Sequence, residues 1–551
     1  MPEVKTYGLW TNKGGVGKTT LTFHLATTYA HLFDNKRVIM IDMCPQANLS
    51  NTLLTHLVPT MGATPALVRG SAVVEQLKAG AEVPGMPAMD LPRTIAGYLH
   101  VANATGGYPM RPPEDFLVKV SSINPNCPDN IWLLAGDSRL DDMTITLAQR
   151  MQRQCPIEDC ERTTLSMLRT MIKVLQQKGG PEWRDSDITV FIDTNPAFTE
   201  YTQLALCTID ELIVPVNADD FSLQAVDYMF NRVWNLFPDN NRFTRAVQGN
   251  SFAVRATERL RDLLPRITAI IHNRQNLRSS SSVAAAFQHL QDEAAQRVWR
   301  AFQEARRVQQ DGEDFVFADK GNPNLEQFNL LYTGVMREMF GTGVASAHTG
   351  VPLHKVRERQ TPIRALFRNT PVIRTNTVVA ITADMLKLLS VVLDDHDLSR
   401  ANQGRLLAML RVNLLPPEMH RAALKRLLKW GRRKRAWRAA HNDDPDMTES
   451  EGEEDQYEDP PPEDNGAGPA ANGAGAAAAP AANAAGVAAG PATNAAGVAA
   501  AQPPPQQAPS VASAAGPAGR MPGTPGAGPS NPRGGAAPAT APANGRKRTR
   551  T

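Results

Sequence analysis

Residues 12–20 read NKGGVGKTT, and this stretch decides the fold. The short apolar run Val4–Trp10 precedes it, and apolar residues recur after it at helical spacing as far as His31. The order of strand, glycine-rich loop and helix is the setting that a phosphate-binding loop requires. Glycines let the backbone curl until successive N–H groups point inward, and the amino end of the helix adds partial positive charge. We therefore predict a triphosphate site at the start of the first helix; the alternative is a glycine turn that binds no ligand.

Further apolar runs predict a parallel sheet around this loop. Two of them end in an acid, at Asp42 and Asp193, and a later one is followed by Asn273. Buried-type runs that alternate with helical stretches are typical of a doubly wound α/β sheet with helices on both faces. The carboxyl ends of such strands share one edge, so we expect the loop, both acids and Asn273 in one crevice. The predicted strands are Val4–Trp10, Arg37–Asp42, Ile188–Asp193, Glu211–Val216 and Ile267–Ile271.

The side chains of the loop suit Mg·ATP. Lys18 is placed to reach the β- and γ-phosphates, and the Thr19 hydroxyl is placed to bind Mg²⁺. Asn12 stands where the general pattern has its first glycine, which is a mild departure because asparagine tolerates positive φ. The predicted ATP-binding residues are Lys13, Gly14, Gly15, Val16, Gly17, Lys18, Thr19, Thr20 and Asn273.

These motifs resemble those of the ParA/MinD ATPases. Residues 13–20 are similar to the family's deviant phosphate loop, residues 41–48 (IDMCPQAN) to its D-x-D-P-Q-A-N segment, and residues 192–196 (IDTNP) to its D-x-P-P segment. The similarity spans roughly residues 4–275, and the P-Q-A-N sequence favours the ParA branch over MinD. The resemblance implies a P-loop ATPase that forms a homodimer around Mg·ATP, so that nucleotide state becomes oligomeric state.

The resemblance also implies roles for single residues. Lys13 matches the signature lysine that reaches the partner's phosphates, where a second cation offsets charge that Lys18 and Mg²⁺ leave uncompensated; a solvated loop lysine is the alternative. Asp193 matches the Walker B acid that holds Mg²⁺ through water, and Asp42 matches the acid beside it. Asn273 resembles the base-reading asparagine. The expected catalytic residues are Lys13, Lys18 and Asp42, and the expected metal-binding residues are Thr19, Asp42 and Asp193.

One position departs from the family's pattern. The second acid of D-x-D, which helps to orient the attacking water, is Cys44 in this chain. A neutral thiol is a weak hydrogen-bonding group and carries no dependable charge at neutral pH, so we expect firm ATP binding and slow hydrolysis. Asp219 and Asp220 are candidates to replace the missing acid. The alternative is a nucleotide-dependent scaffold that no longer hydrolyses ATP.

The chain divides by composition into one large domain and several carboxy-terminal segments. We predict the ATPase domain over residues 1–400, with a loop-rich insertion around residues 51–130. A basic amphipathic helical segment is predicted over residues 401–440 and an acidic linker over 441–464. Residues 465–551 are rich in alanine, proline and glycine and predict a disordered tail that ends in a basic cluster.

The basic segment, residues 401–440, carries leucines on one helical face, two tryptophans and a run of cations. Such a surface suits the phosphate backbone of DNA and equally an anionic membrane. Because ParA-like proteins hold DNA without sequence preference, we predict non-specific DNA binding; membrane attachment as in MinD and a solvated helix packed on the ATPase are the alternatives. The predicted DNA-binding residues are Arg426, Lys429, Arg432, Arg433, Lys434 and Arg435.

Composition excludes several other classes of protein. The 58 Lys and Arg against 55 Asp and Glu leave a net charge of +3, which excludes a uniformly basic nucleic-acid coat. Five scattered cysteines do not form a disulfide framework and suit a reducing compartment. The amino terminus lacks a secretory pattern, and no run of eighteen strongly apolar residues occurs. We expect a cytoplasmic protein, or a nuclear one in a eukaryotic or viral setting, because two basic clusters resemble nuclear localisation signals.

Together these observations predict an ATP-dependent dimerisation switch in DNA partitioning or positioning. Its hydrolysis would be stimulated by a partner protein that the sequence does not identify. A metabolic enzyme on the same fold, such as an amidoligase or an iron–sulfur reductase, is the rival from another class. Neither Cys127 nor Cys155 lies in the kind of glycine-flanked loop that a reductase of this type uses to hold its cluster.

Overall fold

The structure is a computed structural model, and the residues that it describes lie within one unit, Met1–Glu453. The described residues are 2–60, 66–108, 110–156, 158–238, 251–275, 282–308, 315–356 and 375–393, together with Arg405 and Met409. The acidic linker 441–464, the tail 465–551 and most of the basic segment therefore lie outside the described residues. The predicted DNA-binding residues outside them are Arg426, Lys429, Arg432, Arg433, Lys434 and Arg435.

A mixed but mainly parallel eight-stranded sheet lies at the centre of the described chain. The strands are β1 (Val4–Leu9), β2 (Arg37–Met43), β3 (His56–Val58), β4 (Ala66–Val68), β5 (Val118–Lys119), β6 (Ile131–Leu134), β7 (Ile188–Thr194), β8 (Glu211–Val216), β9 (Arg266–Gln275) and β10 (Thr333–Arg337). Their order in the sheet is β10-β9-β8-β1-β7-β2-β6-β5, and β3 and β4 form a separate hairpin. All sheet neighbours run parallel except β5, which is antiparallel to β6.

The strands alternate with helices along the chain. The α-helices of the described residues are α1 (Lys18–Leu32), α2 (Asn48–Leu54), α3 (Gly70–Lys78), α4 (Ile95–Ala104), α5 (Leu140–Met151), α6 (Cys160–Leu165), α7 (Met167–Lys178), α8 (Pro181–Arg184), α9 (Glu200–Thr208), α10 (Asp220–Trp234), α11 (Phe252–Arg259), α12 (Ser282–Arg307), α13 (Leu325–Tyr332), α14 (Phe340–Thr349) and α15 (Thr375–Val392). None of these helices combines the length and the apolar character needed to cross a membrane.

Helices cover both faces of the sheet, as the continuous apolar strands predict. Val38 and Met40 of β2 join a core with side chains of α1 and α15, whereas Ile39 and Ile41 join a second core with side chains of α4, α7 and α10. Successive side chains of a strand point to opposite faces, so a strand that is apolar at every position needs cover on both sides. The prediction of a doubly wound α/β fold is confirmed.

The interval 51–130 contains more regular structure than the predicted loop-rich insertion. It holds α3, α4, the β3–β4 hairpin and the edge strand β5. Tyr98 and Leu99 of α4 are fully buried in the core beneath the sheet. Pro84, Pro87 and Pro92 lie between the helices and strands of this interval, so the frequency of proline indicates its turns but not its helices.

Candidate nucleotide-binding site

The predicted site residues meet at the carboxyl edge of the sheet. The loop 12–17 follows β1 and leads into α1, while Asp42 and Asp193 lie opposite each other in the paired strands β2 and β7. Asn273 lies inside β9, because that strand continues to Gln275 beyond its predicted end. The loop, both acids and Asn273 therefore lie together at this edge of the sheet, beside the start of α1.

Two glycines allow the tight curl of the loop. Gly15 and Gly17 have φ values of +74° and +90°, a region that side chains bearing a Cβ atom rarely enter. A Cβ atom on Gly17 would also lie only 2.3 Å from Asn273 Nδ2. Asn12 does not adopt positive φ. The sequence predicts that this position relies on the tolerance of asparagine for positive φ, but the backbone of Asn12 does not need that tolerance.

The amino end of α1 is open to an anion. Gly17 occupies the cap position and supplies no side-chain hydrogen bond, and the first turn contains no acidic residue. The first N–H groups of a helix have no partner within the helix and carry partial positive charge. The arrangement matches what a phosphate group requires from a helix terminus.

Lys18 is a buried cation held against the loop. Its Nζ atom donates to the carbonyl oxygens of Lys13 (2.8 Å) and Thr11 (3.2 Å). Burial lowers the pKa of Lys18 to about 8, although the carboxylate of Asp193 acts in the opposite direction. Lys18 therefore remains mainly protonated at pH 7, and phosphate oxygens would be much stronger acceptors for it than the two carbonyl groups.

Thr19 and Asp193 form the part of the site that fits Mg²⁺. Thr19 Oγ1 donates to Asp193 Oδ2 at 2.7 Å, while the buried Oδ1 atom has no hydrogen-bond partner. Burial raises the pKa of Asp193, and the neighbouring carboxylate of Asp42 raises it further. Hydroxyl and carboxylate oxygens are ligands that Mg²⁺ prefers, and the remaining ligands would be phosphate and water oxygens. Among the residues that the structure describes, no group of three His, Cys, Asp or Glu side chains is arranged to hold a metal.

Asp42 is fully buried and its carboxylate is held by the protein. Its Oδ2 atom accepts from the Ser50 amide (2.9 Å) and the Ser50 hydroxyl (2.7 Å), and its Oδ1 atom accepts from the Cys44 amide (3.1 Å). Burial raises the pKa of Asp42, whereas the hydrogen bonds from Ser50 lower it. With both oxygens engaged by donors of the chain, Asp42 has less capacity than Asp193 to bind a cation directly.

Ser50 and Gly136 are members of the site that sequence reasoning missed. The Ser50 hydroxyl also accepts from the Gly136 amide at 2.9 Å, which joins the ends of β2 and β6. A Cβ atom on Gly136 would lie 2.8 Å from Asp42 Cγ. Ser50 lies in α2, eight residues after Asp42, and no spacing rule in the sequence indicates this contact.

Lys13 is turned toward the start of α10 within its own chain. Its Nζ atom forms an ion pair with Asp219, donates to Ser222 Oγ at 3.2 Å, and lies 5.7 Å from the centre of the Phe221 ring. Asp219 also caps α10 by accepting from the Ser222 amide. Burial acts to raise the pKa of Asp219, but the hydrogen bonds from Lys13 and Ser222 outweigh it and hold the pKa below its usual value.

Cys44 lies beside the two acids and is nearly inaccessible, with 6% of its surface exposed. Burial, and secondly the charge of Asp42, raise the pKa of its thiol to about 12. The thiol is therefore neutral at physiological pH. Asp219, one candidate to replace the missing acid, is occupied by Lys13, and Asp220 is exposed at the first turn of α10.

Asn273 is bound to the phosphate loop. Its Nδ2 atom donates to the carbonyl oxygen of Val16 at 2.8 Å, and 7% of the residue is exposed. The side-chain amide thereby ties β9 to the loop next to Gly17. Recognition of adenine by the same side chain remains a prediction.

The geometry of this site agrees with a family match. Residues 9–233 match the model of the CobQ/CobB/MinD/ParA nucleotide binding domain. This part of the chain is similar to nucleotide-binding domains of the CobQ/CobB/MinD/ParA type. The match confirms the resemblance seen in the motifs. It begins at Leu9 and ends at Val233, inside the range of roughly residues 4–275 that the motifs suggested. The loop, Asp42, Cys44 and Asp193 lie within the matched range of the nucleotide-binding domain, whereas Asn273 lies beyond it.

Solved structures that are similar to part of this chain include the following three. Apo McdA from Cyanothece is 16% identical, covers 66% of this chain and 99% of its own, and has a TM-score of 0.35. A plasmid partition protein from Borrelia burgdorferi is 16% identical over 55% of this chain and 99% of its own (TM-score 0.30). Cobyrinic acid a,c-diamide synthase from Mycobacterium smegmatis with bound ADP and magnesium is 16% identical over 58% of this chain and 100% of its own (TM-score 0.29). No functional argument rests on these low similarities, and no curated protein sequence matches the chain significantly.

Proposed function

We propose that the protein is a ParA-like ATPase in which Mg·ATP controls dimerisation and non-specific DNA binding, in the partitioning or positioning of DNA. One observation carries the proposal. A glycine loop at the uncapped start of α1 sets a buried lysine beside a Thr19–Asp193 pair whose remaining carboxylate oxygen has no partner. A triphosphate with Mg²⁺ would satisfy the helix terminus, Lys18 and Asp193 at the same time.

Each residue of the candidate site has a defined role in this proposal. The loop amides and Lys18 would bind the phosphates, Thr19 and Asp193 would hold Mg²⁺, and Asp42 would steady the same magnesium shell as the neighbouring acid. Bound magnesium would withdraw charge from the terminal phosphate during hydrolysis. Because phosphoryl transfer depends chiefly on positioning and electrostatics, the buried, prearranged oxygens of the site are suited to it.

The proposed dimer uses the exposed surface next to the loop. Lys13 is bound by Asp219 in the single chain, and Phe221 beside it is 72% exposed. In an ATP-bound homodimer Lys13 would leave Asp219 and bind the partner's phosphates, which carry more charge than one carboxylate. Closure would then depend on the γ-phosphate and would bury Phe221.

The basic segment supplies the DNA-binding part of the proposal. The chain would be cytoplasmic, or nuclear in a eukaryotic or viral host, and a partner protein would stimulate hydrolysis.

A second candidate function is a scaffold that binds ATP and hydrolyses it negligibly. The neutral, buried thiol of Cys44, in the place of a water-orienting acid, is the observation that favours it.

The proposal is tested on the full chain by calorimetric titration with nucleotides, followed by light scattering and DNA retention on the same samples. We expect Mg²⁺-dependent binding of ATP and ADP, a doubling of mass in ATP alone, and DNA retention in ATP. Lys18→Gln should weaken ATP binding by about a hundredfold or more because it removes a charge-assisted phosphate contact in a desolvated site. Lys173→Gln, a change of one exposed lysine on α7, is the matched control and should have no effect.

Distinct outcomes separate the parts of the proposal. A lack of Mg²⁺-dependent nucleotide binding contradicts the site itself. An unchanged mass in ADP and ATP contradicts the dimerisation switch. Retention on anionic liposomes instead of DNA contradicts the DNA-binding part and favours a positioning ATPase that acts at membranes.

A further inference from the structure

A polar cavity lies at the edge of the sheet opposite the phosphate loop. It has a volume of about 530 Å³ and is bordered by the last turn of α1, the start of β2 and the turn before β6. These borders are the amino ends of strands, whereas the nucleotide site lies at the carboxyl ends. The cavity is therefore separate from the crevice that holds Lys18 and Asp193.

Cations outnumber acids in the described lining of this cavity. Arg405 is paired with Asp34 at 2.8 Å and donates to the carbonyl oxygen of His31 at 2.9 Å. Within the described part of the chain, the remaining three cations form no ion pair, and Asp129 is the one further acid. These three cations are Arg37, Lys119 and Lys355.

The imidazole of His31 reflects this positive environment. Burial, then the charges of Arg405 and Lys355, lower the pKa of His31 to about 4, while Asp34 acts in the opposite direction. The ring is therefore neutral at pH 7 and stacks on the His354 ring, with centroids 4.3 Å apart. The excess positive charge of the cavity therefore comes from its lysine and arginine side chains and not from this imidazole.

Two of the unpaired cations are held in place by the same indole ring. The Arg37 guanidinium lies 5.0 Å from the centre of the Trp132 ring, and its Nε atom donates to the Glu182 carbonyl oxygen at 3.1 Å. Lys119 Nζ lies 5.9 Å from the centre of the same ring. Cations that are positioned before binding lose less side-chain entropy when they meet an anion.

The chain continues from this cavity into its most basic stretch. Arg405 lies at the rim, and residues 400–438 contain twelve Lys and Arg with one acid, Glu418. A fixed group of cations that is followed by a long cationic segment suits an extended polyanion better than a single small anion.

We propose that the cavity formed by Arg37, Lys119, Lys355 and Arg405 binds backbone phosphates of duplex DNA. The inference deepens the proposed function and depends on its DNA-binding part. Three of the four cations lie before residue 401, whereas the sequence places all the predicted DNA contacts in the basic segment, residues 401–440. Phosphate is the chemistry that the cavity recognises, and a small phosphorylated molecule is the alternative source that the experiment distinguishes.

The test is DNA affinity of the full chain with Mg·ATP, measured by fluorescence anisotropy of a labelled duplex at several salt concentrations. Lys119→Glu and Lys355→Glu should each weaken binding by about three- to tenfold, and the double variant should reduce the slope of log affinity against log salt by about 2. Lys173→Glu, which changes the net charge equally on exposed α7, should leave affinity within about twofold. ATP affinity should be unchanged in all four variants, since the nucleotide site lies at the other edge of the sheet.

The outcomes separate this inference from the proposed function. If the wild type binds DNA and the double variant binds it with equal affinity and salt slope, the inference is wrong and the proposed function stands. If the wild type binds ATP but no DNA, the DNA-binding part of the proposed function fails, and this inference fails with it. Tripolyphosphate is added to the ADP-saturated protein as the small-anion probe. If the double variant loses tripolyphosphate binding while its DNA affinity is unchanged, the cavity binds a small phosphorylated ligand instead of DNA.

Discussion

At the scale of single residues, the nucleotide site contains charge that the protein itself leaves unbalanced. Asp193 is buried beside a second buried carboxylate, and one of its oxygens has no partner. Removing a carboxylate from water without a cation or a full set of donors destabilises the folded chain. A bound cation would therefore stabilise the arrangement beyond what Lys18 provides, which makes the stability of the domain sensitive to magnesium and nucleotide.

The first prediction concerns Asp193→Asn. A carboxyl group whose pKa is raised in the folded state binds more protons there than in the unfolded chain, so stability falls as pH rises through that range. Without nucleotide or metal, the variant should be more stable than wild type at pH 8 by about 1–3 kcal/mol, and the difference should shrink at pH 5. Urea unfolding at both pH values measures the difference. With Mg·ATP the order should reverse, and a variant that Mg·ATP stabilises as much as wild type would contradict a magnesium role for Asp193.

The second prediction concerns Cys44→Asp. A carboxylate at this position would be able to orient the attacking water, so the rate of phosphate release should rise by about tenfold or more while ATP affinity stays within about threefold. A third buried carboxylate should also lower the stability of the protein without metal. Cys44→Ser is the neutral control and should hydrolyse ATP at the wild-type rate. Equal rates for Cys44→Asp and wild type would show that another group already orients the water.

At the scale of elements, the phosphate loop is shaped by β1, α1 and β9 together. The two positive-φ glycines let the chain turn from β1 into α1, and Asn273 of β9 holds the turn from behind. The loop therefore depends on a strand that lies more than 250 residues later in the chain.

The third prediction compares two glycines of this loop. Gly17→Ala places a Cβ atom at φ +90° and 2.3 Å from Asn273 Nδ2, so it should lower the free energy of unfolding without nucleotide by about 1–3 kcal/mol. Gly14→Ala is the matched control, because no atom lies within 4 Å of its added Cβ and its φ is not positive. Its stability should equal that of wild type. Chemical denaturation of both variants checks the difference, and equal losses would contradict the described loop conformation.

The fourth prediction separates two roles of Asn273. If the amide mainly positions the loop, Asn273→Ala should weaken ATP, GTP and tripolyphosphate binding by a similar factor, about tenfold, because one hydrogen bond to the loop is lost. If the amide reads the base, ATP binding should weaken while tripolyphosphate binding stays unchanged. We expect the first pattern, since the observed hydrogen bond is to Val16. Competition titrations with the three ligands measure it.

At the scale of the whole molecule, charge is separated along the chain. Residues 400–438 contain twelve cations, and residues 443–464 contain twelve acids and no base. The acidic block directly follows the basic stretch, so it is able to compete with DNA for the same cations.

The fifth prediction concerns this acidic block. Deletion of residues 443–464 should tighten DNA binding by about tenfold at low salt, and the gain should shrink as salt screens the competing charges. A variant in which the twelve acids are replaced by Asn and Gln keeps the length of the chain and serves as the control for spacing. The two variants should behave alike. Unchanged DNA affinity in both would remove the competition from the proposed mechanism.

Much of the fold could be predicted because its signals are local. β8 was predicted to the residue, and β1, β2 and β7 within one residue, since buried parallel strands are continuous apolar runs. β5 and β10 were not predicted. A two-residue edge strand carries no periodic signal, and the short TGVMR segment of β10 interrupts its apolar residues with glycine and is paired on one side only.

The amino-acid sequence by itself determined the class of this protein. A strand, a glycine loop and a helix in direct succession, with acids at the ends of two further strands, specify the sheet and the edge at which the candidate site lies. They also predict a phosphate contact for Lys18 and a magnesium contact for Thr19. These properties follow from neighbours in the chain, where backbone sterics and periodicity act at short range.

Only the tertiary structure decided which distant groups meet. It pairs Lys13 with Asp219 across 206 residues, closes Ser50 and Gly136 around Asp42, and gathers cations from four separate segments at the far edge of the sheet. Such contacts depend on side-chain packing and on the register between strands, and no local pattern encodes either of them.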